Sequence, residues 1–517
     1  MRENSLTPTA GRREWTGLAV LVLACVVYAM DLTVLHLAVP KLSADLRPSS
    51  AQLLWIVDIY GFFVAGSLIT MGTLGDRIGR RRLLLIGAGL FSLTSLLAAF
   101  SSSAAMLIVA RGLMGIAGAT IAPSTLSLIF NMFRDPRQRA AAIGVWISGF
   151  SAGSAIGPIL GGLLIEYFWW GSVFLLALPV MGLLLVLGPR VLPEFRNPEA
   201  GRLDLWSAAL SLVALLAIIF GLKQVAQDGF GIWPVASLLL GVGVGALFIR
   251  RQLALAVPLI DLRLFRIRSF SASFVTNLLG VFVAFGYFLF VAQYLQLVRG
   301  LSPLHAGLWS LPSAVAFVVS SNLAPRFIRR FRPAYVLGAC LAAAALALAF
   351  LLAVRVSSGL ALLVGVSVVV SLALAPMFSL TTELIVGSAP PERAGAASAI
   401  SETGAEVGGA LGIAILGSAG TAVYRGAVAA GLPPGLPPEI AEIARNTLGG
   451  AVGAAQRLPS ELAQPLLQVT REAFVSGLHL AAGISAIVAV AAAVVAVAML
   501  RRLPARPEAE RSALAEG

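Results

Sequence analysis

Lysine is almost missing from this 517-residue chain: Lys41 in "VPKLS" and Lys223 in "GLKQV" are the only two. Neither follows a glycine-rich loop, so ATP hydrolysis through a P-loop is excluded. Cysteine is equally scarce. Cys25 and Cys340 both fall inside apolar runs, where they read as small packing residues and not as a disulfide or metal ligands. The three histidines, His36, His305 and His479, share no metal-ligand spacing, and neither a cofactor motif nor a nucleophile and base pair accompanies them, so no metal, no cofactor and no enzyme chemistry is expected. Charge itself is thin: 12% of residues are charged, 58% are hydrophobic, and mean hydropathy is +0.92. A water-soluble domain of this length is excluded, and the composition predicts an all-α membrane protein embedded in a lipid bilayer.

Apolar runs long enough for a bilayer core recur almost without pause. They cover residues 15–38, 50–73, 83–101, 104–130, 139–166, 170–189, 204–223, 231–250, 268–298, 303–325, 333–354, 358–388, 394–423 and 474–500, about fourteen spans of some 20 residues or more. The formal net charge of +13 does not mark a nucleic-acid binder, because most of the 37 Lys and Arg side chains fall on alternate connecting segments. Those segments, with both termini, are expected on the cytoplasmic side of the cell inner (plasma) membrane. The first span is too long for a signal-peptide core and stays a helix.

The chain carries a faint internal echo. "LGDRIGRRRLLLI" at 74–86 is matched by "LAPRFIRRFRPAYV" at 323–336, with arginines at similar offsets but without the Asp and the Gly. Paired halves follow: a six-helix half at 15–190, a second at 268–500, and two inserted helices at 204–251. The largest connection, 424–473, is expected outside the cell as a loop or small helical hairpin.

Charges inside the bilayer are costly unless they pair, protonate or meet water, which makes them the most informative positions. Asp31, Asp58 and Arg111 fall in the outer halves of their spans, at heights that allow them to meet. Glu402 and Glu406 stand four residues apart on one helix face, too close for both to ionise cheaply, and so are able to take and release a proton. Glu383, nearer the end of its span, reads as structural. Trp55, Tyr60 and Trp146 are candidate cavity aromatics for stacking on a cation. In "SGFSAGSAIGPILGG", Gly149, Gly153 and Gly157 recur every four residues before Pro158, Gly161 and Gly162, a pattern for close helix packing and for a sliding contact between the halves. In "GTLGDRIGRRR", the arginines anchor the loop, while Asp76 is placed to latch onto a neighbouring helix N-terminus or an arginine.

These residues resemble a known family. Gly72, Leu74, Asp76, Arg77, Gly79, Arg80 and Arg81 resemble the signature cytoplasmic loop of the major facilitator superfamily. "ARGLMGIAGA", with Arg111, Gly115 and Gly118, resembles its fourth-helix motif. Gly153, Gly157, Pro158, Gly161 and Gly162 resemble the motif of its antiporters, and "DLTVLHLAVPKLSADL" resembles the fourteen-helix drug:proton antiporter branch of quaternary-ammonium exporter type. The resemblance implies the major facilitator fold and proton-driven multidrug efflux, with protons as the coupling ion and lipophilic, often cationic, drugs or dyes as substrates. It assigns Asp31, Asp58, Glu402, Glu406 and Arg111 to protons and substrate cation. A monomer is expected. The alternative is a narrow-specificity exporter of one metabolite or antibiotic by the same mechanism.

Overall fold

The computed structural model describes residues 10–46, 48, 50–196, 204–229, 231–255, 258–390 and 394–502, and these contain helices and connections but no strand. The first half of the chain forms α1 (Arg12–Leu46), α2 (Ser50–Ile78), α3 (Arg80–Ala99), α4 (Ala104–Gly118), α5 (Ile121–Met132), α6 (Pro136–Tyr167), α7 (Ser172–Leu175) and α8 (Ala177–Val191). Then come α9 (Leu205–Asp228) and α10 (Ile232–Ala254). The remainder is α11 (Arg268–Gln293), α12 (Pro303–Arg330), α13 (Pro333–Phe350), α14 (Leu360–Gly387), α15 (Ala394–Gly431), α16 (Pro438–Asn446), α17 (Leu448–Ala455) and α18 (Ser460–Leu500). Among the described residues, 12 helical segments are long and apolar enough to cross a membrane. On the apolar runs 50–73 and 139–166 lie α2 and α6, with 29 and 32 residues.

Local chemistry sets the helix ends. Asp135 accepts from Gln138 N at 2.9 Å with Pro136 in the first turn, and Ser103, Asp204 and Ser302 cap α4, α9 and α12 in the same way. Two single runs expected from sequence are broken. The run 104–130 divides into α4 and α5 because Pro123 has no N–H to give the carbonyl of Ala119. The run 170–189 divides into α7 and α8, where Pro179 fails Leu175 likewise.

Helices α1 to α8 enclose one apolar core, with Leu21, Phe91, Ile129 and Phe174 buried in it; α11 to α18 enclose another around Leu337, Val370 and Ala489. From the inserted pair, α9 packs on α2 and α15, while α10 packs on α9 and turns Leu239 and Val242 outward. The connections α2–α3, α5–α6 and α12–α13 gather with the start of α15 at one end of the bundle, here the basic end. Further into the bundle from that end the halves touch: Ser148 Oγ of α6 lies 2.7 Å from Ser321 Oγ of α12, and Asn322 Nδ2 donates to Ser148 Oγ at 2.8 Å. At the far end, α15 continues to Gly431 and α18 begins at Ser460, so both flanks of the 424–473 segment are helical extensions. The short α16 and α17 close over them, burying Ala444, Ala451 and Leu466, with Tyr424 Oη donating to Ala444 O at 2.7 Å.

Candidate functional site

Asp31 lies in α1 and Arg111 in α4, and Arg111 Nη1 is 2.5 Å from Asp31 Oδ2. Both are buried, at 7% and 1% exposure, so the pair is closed off from its surroundings. Arg111 Nε also donates to the carbonyl of Ile56 at 3.3 Å, and the guanidinium lies 4.7 Å from the centre of the Tyr60 ring and 5.8 Å from that of Phe174. Glycine makes this approach possible. A Cβ on Gly115 would stand 2.5 Å from the carbonyl oxygen of Tyr60, so the fourth-helix motif brings α4 against α2 at the level of the ion pair. The side chain of Asp58 lies outside the described residues, so the expected meeting of three charges is described for two of them.

Across the interface between the halves, α15 carries Glu402 and Glu406, both half-buried. They act electrostatically on each other and, across the interface, on Tyr28, while Glu402 also acts on Cys25 and Glu406 on Tyr60. Aromatic rings border this region. Tyr28 lies 5.7 Å from Phe150 in an edge-on contact, and Phe150 lies 4.8 Å from Trp146. Trp146 donates its indole N–H to Thr125 Oγ1 at 2.9 Å, which fixes its orientation. Tyr60 covers Arg111 and is fully buried, so its place is beside the ion pair and not on a cavity wall. Trp55 is a correction: it stacks on Phe220 of the inserted α9 at 6.2 Å and is 43% exposed. Tyr28 and Phe150 are the aromatics that sequence reasoning missed. Their signal was their spacing from Asp31 and Trp146, three and four residues.

At the basic end, Asp76 accepts from Arg80 Nε at 2.9 Å and also from Arg80 Nη2, and it interacts with the backbone N–H of Ala396 in the first turn of α15. One carboxylate thus meets both an arginine of its own half and the first turn of a helix of the second half. Gly72 and Gly75 are buried in α2, and the Arg80 side chain passes where a Cβ on Gly75 would be, 2.6 Å from Nη1. Gly79, with φ +112°, makes the turn that an L side chain resists, and a Cβ there would also meet Glu194 Oε1 at 2.5 Å. Glu194 went unnoticed in the sequence. It accepts from the backbone N–H groups of Arg81 and Arg82 at 3.1 and 3.2 Å, capping α3 from outside the helix. Arg77 stands within electrostatic reach of Asp76 and of Asp204, the cap of α9, which Arg251 also holds at 2.9 Å.

The glycines of α6 correct another expectation. Gly149, Gly153 and Gly161 face Val22, Val26 and Val34 of α1, with a Cβ on Gly153 placed 2.3 Å from the carbonyl oxygen of Val26. They therefore pack α6 onto α1 inside one half and make no sliding contact between halves. That contact lies nearer the basic end, where a Cβ on Gly144 would stand 2.7 Å from Ser321 O. Gly157 is buried, Gly162 has nothing within 4 Å of its would-be Cβ, and the Pro158 side chain lies outside the described residues.

Known proteins resemble the chain over nearly its whole length. The family model described as Major Facilitator Superfamily matches residues 21–413. The chain is 44% identical over 496 residues to the multidrug efflux pump LfrA of Mycolicibacterium smegmatis, covering 96% of this chain and 97% of that protein. It is 38% identical to the methyl viologen resistance protein SmvA of Salmonella typhimurium, with 90% and 93% covered, and 34% identical to the tetracenomycin C resistance and export protein of Streptomyces glaucescens, with 95% and 93% covered. Among solved structures, the human organic anion transporter MFSD10 superposes with a TM-score of 0.57 at 16% identity, covering 92% of this chain and 99% of that one. A bacterial homolog of the human lysosomal transporter Spinster, inward-facing and unoccupied, superposes with a TM-score of 0.58 at 18% identity, with 95% and 98% covered. At such identities these two likenesses speak for the fold alone.

Proposed function

The chain belongs to the Major Facilitator Superfamily, and on that premise we propose that it is a proton-coupled multidrug exporter that moves lipophilic cations out of the cell by alternating access. The observation that carries this reading is the buried Asp31–Arg111 pair standing across the interface from the half-buried Glu402 and Glu406. Ionisable groups held inside a membrane bundle serve ion and substrate pathways more often than stability.

In this reading the basic end faces the cytoplasm, with both termini and an even number of crossings, fourteen in all. The Asp76 latch and the Ser148–Ser321 contact tie the halves together on that side. Protons arriving from outside neutralise a glutamate and weaken its hold on a cation, which leaves. Breaking the latch opens the cytoplasmic side, where loss of the proton restores a negative site for the next cation. Arg111 is the partner that a proton on Asp31 would displace. The rings of Tyr28 and Phe150 supply flat apolar surface and, for a cation, favourable faces. Protons are the only coupling ion, no cofactor takes part, and the working unit is a monomer.

The test is uptake of ethidium into proteoliposomes of purified protein with the lumen acidic. Accumulation that collapses with a protonophore is expected, and Asp31→Asn should alter its pH dependence. Uptake with an unchanged pH profile in that variant would remove Asp31 from coupling. A second reading, export of one antibiotic class, is favoured by the relative named for tetracenomycin C. A panel of cationic, neutral and anionic substrates separates the two.

A further inference from the structure

Where the inserted pair passes into the second half, the chain is strongly basic. Residues 248–270 hold five arginines and one acid, Asp261. Arg251 is occupied with Asp204, and Asp261 accepts from the backbone N–H of Arg263 at 3.0 Å, capping a short 3-10 turn, Leu262–Arg266. Arg250, Arg263, Arg266 and Arg268 remain. All four are exposed, and none has an ion pair or a side-chain hydrogen bond among the described residues.

Packing fixes where these charges stand. Gln252 Nε2 donates to Ser207 Oγ at 2.7 Å, and Gln252 Oε1 accepts from the backbone N–H groups of Leu259 and Ile260 at 2.6 and 3.3 Å, which holds the chain against the end of α10. Leu259, Ile260 and Leu264 then enter one buried apolar cluster with Phe248 and Phe270. Arg250 comes two residues after Phe248 and Arg268 two before Phe270, so the four exposed arginines border a single cluster. Two apolar side chains are left outside it: Phe265 and Ile267 are 36% and 41% exposed, alternating with Arg266 and Arg268. Positive charge alone would keep a segment on one side of a membrane and asks for no apolar neighbours. Arginine interleaved with exposed apolar residues fits the boundary between headgroups and acyl chains. Depth agrees with that boundary. Phe265 packs edge-on against Phe270 and Phe274, with ring centres 5.1 and 5.3 Å away, and Phe274 lies about 9 Å into α11. An interfacial segment sinks its apolar side by about 5–10 Å.

We propose that residues 258–268, together with Arg250, form a docking surface for anionic phospholipids of the inner leaflet. Phe265 and Ile267 enter the acyl boundary, and the four arginines hold the headgroup phosphates. The proposal rests on the reading that the basic end faces the cytoplasm. The inner side of the same segment shares its cluster with Ile69 of α2 and with Ala397 of α15, next to the Ala396 that Asp76 meets. Lipid bound on the outer side therefore bears on the place where α2 and α15 are joined.

The experiment places a bimane label on Ile267→Cys in the full chain with Cys25→Ala and Cys340→Ala, reconstituted into proteoliposomes. Quenching by nitroxide-labelled phosphatidylglycerol is compared with quenching by nitroxide-labelled phosphatidylcholine at equal mole fraction. The anionic lipid should be enriched at the label about fivefold, the effect of one arginine beside an anionic surface, and the preference should shrink in 1 M salt. Arg263→Gln/Arg266→Gln/Arg268→Gln, with folding checked by elution profile and Tm, should bring the two lipids within about twofold of each other. The same label at Leu93→Cys, on the exposed face of α3, should show no preference. Equal quenching at Ile267→Cys, no quenching by either lipid, or a preference that survives the triple substitution overturns the docking surface. In cells, a maleimide that does not cross the membrane should label Arg263→Cys, in the same background, only after the cells are broken. Labelling of whole cells overturns the cytoplasmic orientation and the inner-leaflet assignment with it, while the quenching still decides whether this surface takes anionic lipid.

Discussion

The two halves handle buried acid in opposite ways. In the first, Asp31 is matched by an arginine 2.5 Å away, and the pair is roofed by Tyr60 and Phe174. In the second, Glu402 and Glu406 share a helix that carries no arginine or lysine before Arg425. A matched pair holds its geometry, whereas acids that repel each other gain when a cation arrives between them. Storage of shape and readiness to bind are thus divided between the halves.

The comparison breaks most severely if its matched side is unmatched. Arg111→Leu leaves a buried carboxylate alone and should cost about 3–5 kcal/mol. A lower Tm in detergent and no ethidium uptake are expected, with part of the Tm restored in the Asp31→Asn/Arg111→Leu double variant. A single variant as stable as wild type would mean that the pair is not what holds this region. Asp76→Asn acts on the contact that joins the halves, and loss of charge from its hydrogen bonds should weaken it by about 1.5–3 kcal/mol. Disulfide formation between Ser148→Cys and Ser321→Cys, in a Cys25→Ala/Cys340→Ala background, reads this directly and should slow. Glu406→Gln sharpens the comparison from the other side: ethidium uptake should fall about tenfold, roughly 1.4 kcal/mol, with Tm unchanged or raised. Smallest is the contrast within the α6 glycines. Gly153→Ala should lower stability by about 1 kcal/mol through its clash with Val26, and Gly162→Ala by less than about 0.5 kcal/mol. Equal shifts in Tm would contradict the packing described for α6 on α1.

Length and hydropathy made the helices legible, because a span is a local property of about 20 residues. Asp31 and Arg111 were legible as depths along their helices, which counting residues can supply. That they touch each other depends on α1 lying beside α4, a non-local fact that no periodicity records. The glycines of α6 illustrate the same limit: spacing by four announces a close neighbour without saying which helix it is. Trp55 was misplaced because its companion, Phe220, belongs to an inserted helix whose docking position leaves no pattern in α2. Glu194 lies more than a hundred residues from the α3 backbone it caps, and an acid after a helix end carries no mark of its target.

The small helical knob of α16 and α17 rests on α15, α18 and the turn that follows α11, all from the second half of the chain. An antibody fragment raised against it would add mass to one side of the molecule only. A membrane protein with little of itself outside the bilayer would then carry an asymmetric landmark for imaging. Its angle to the first half would report the rocking of the bundle without touching the path that a substrate takes.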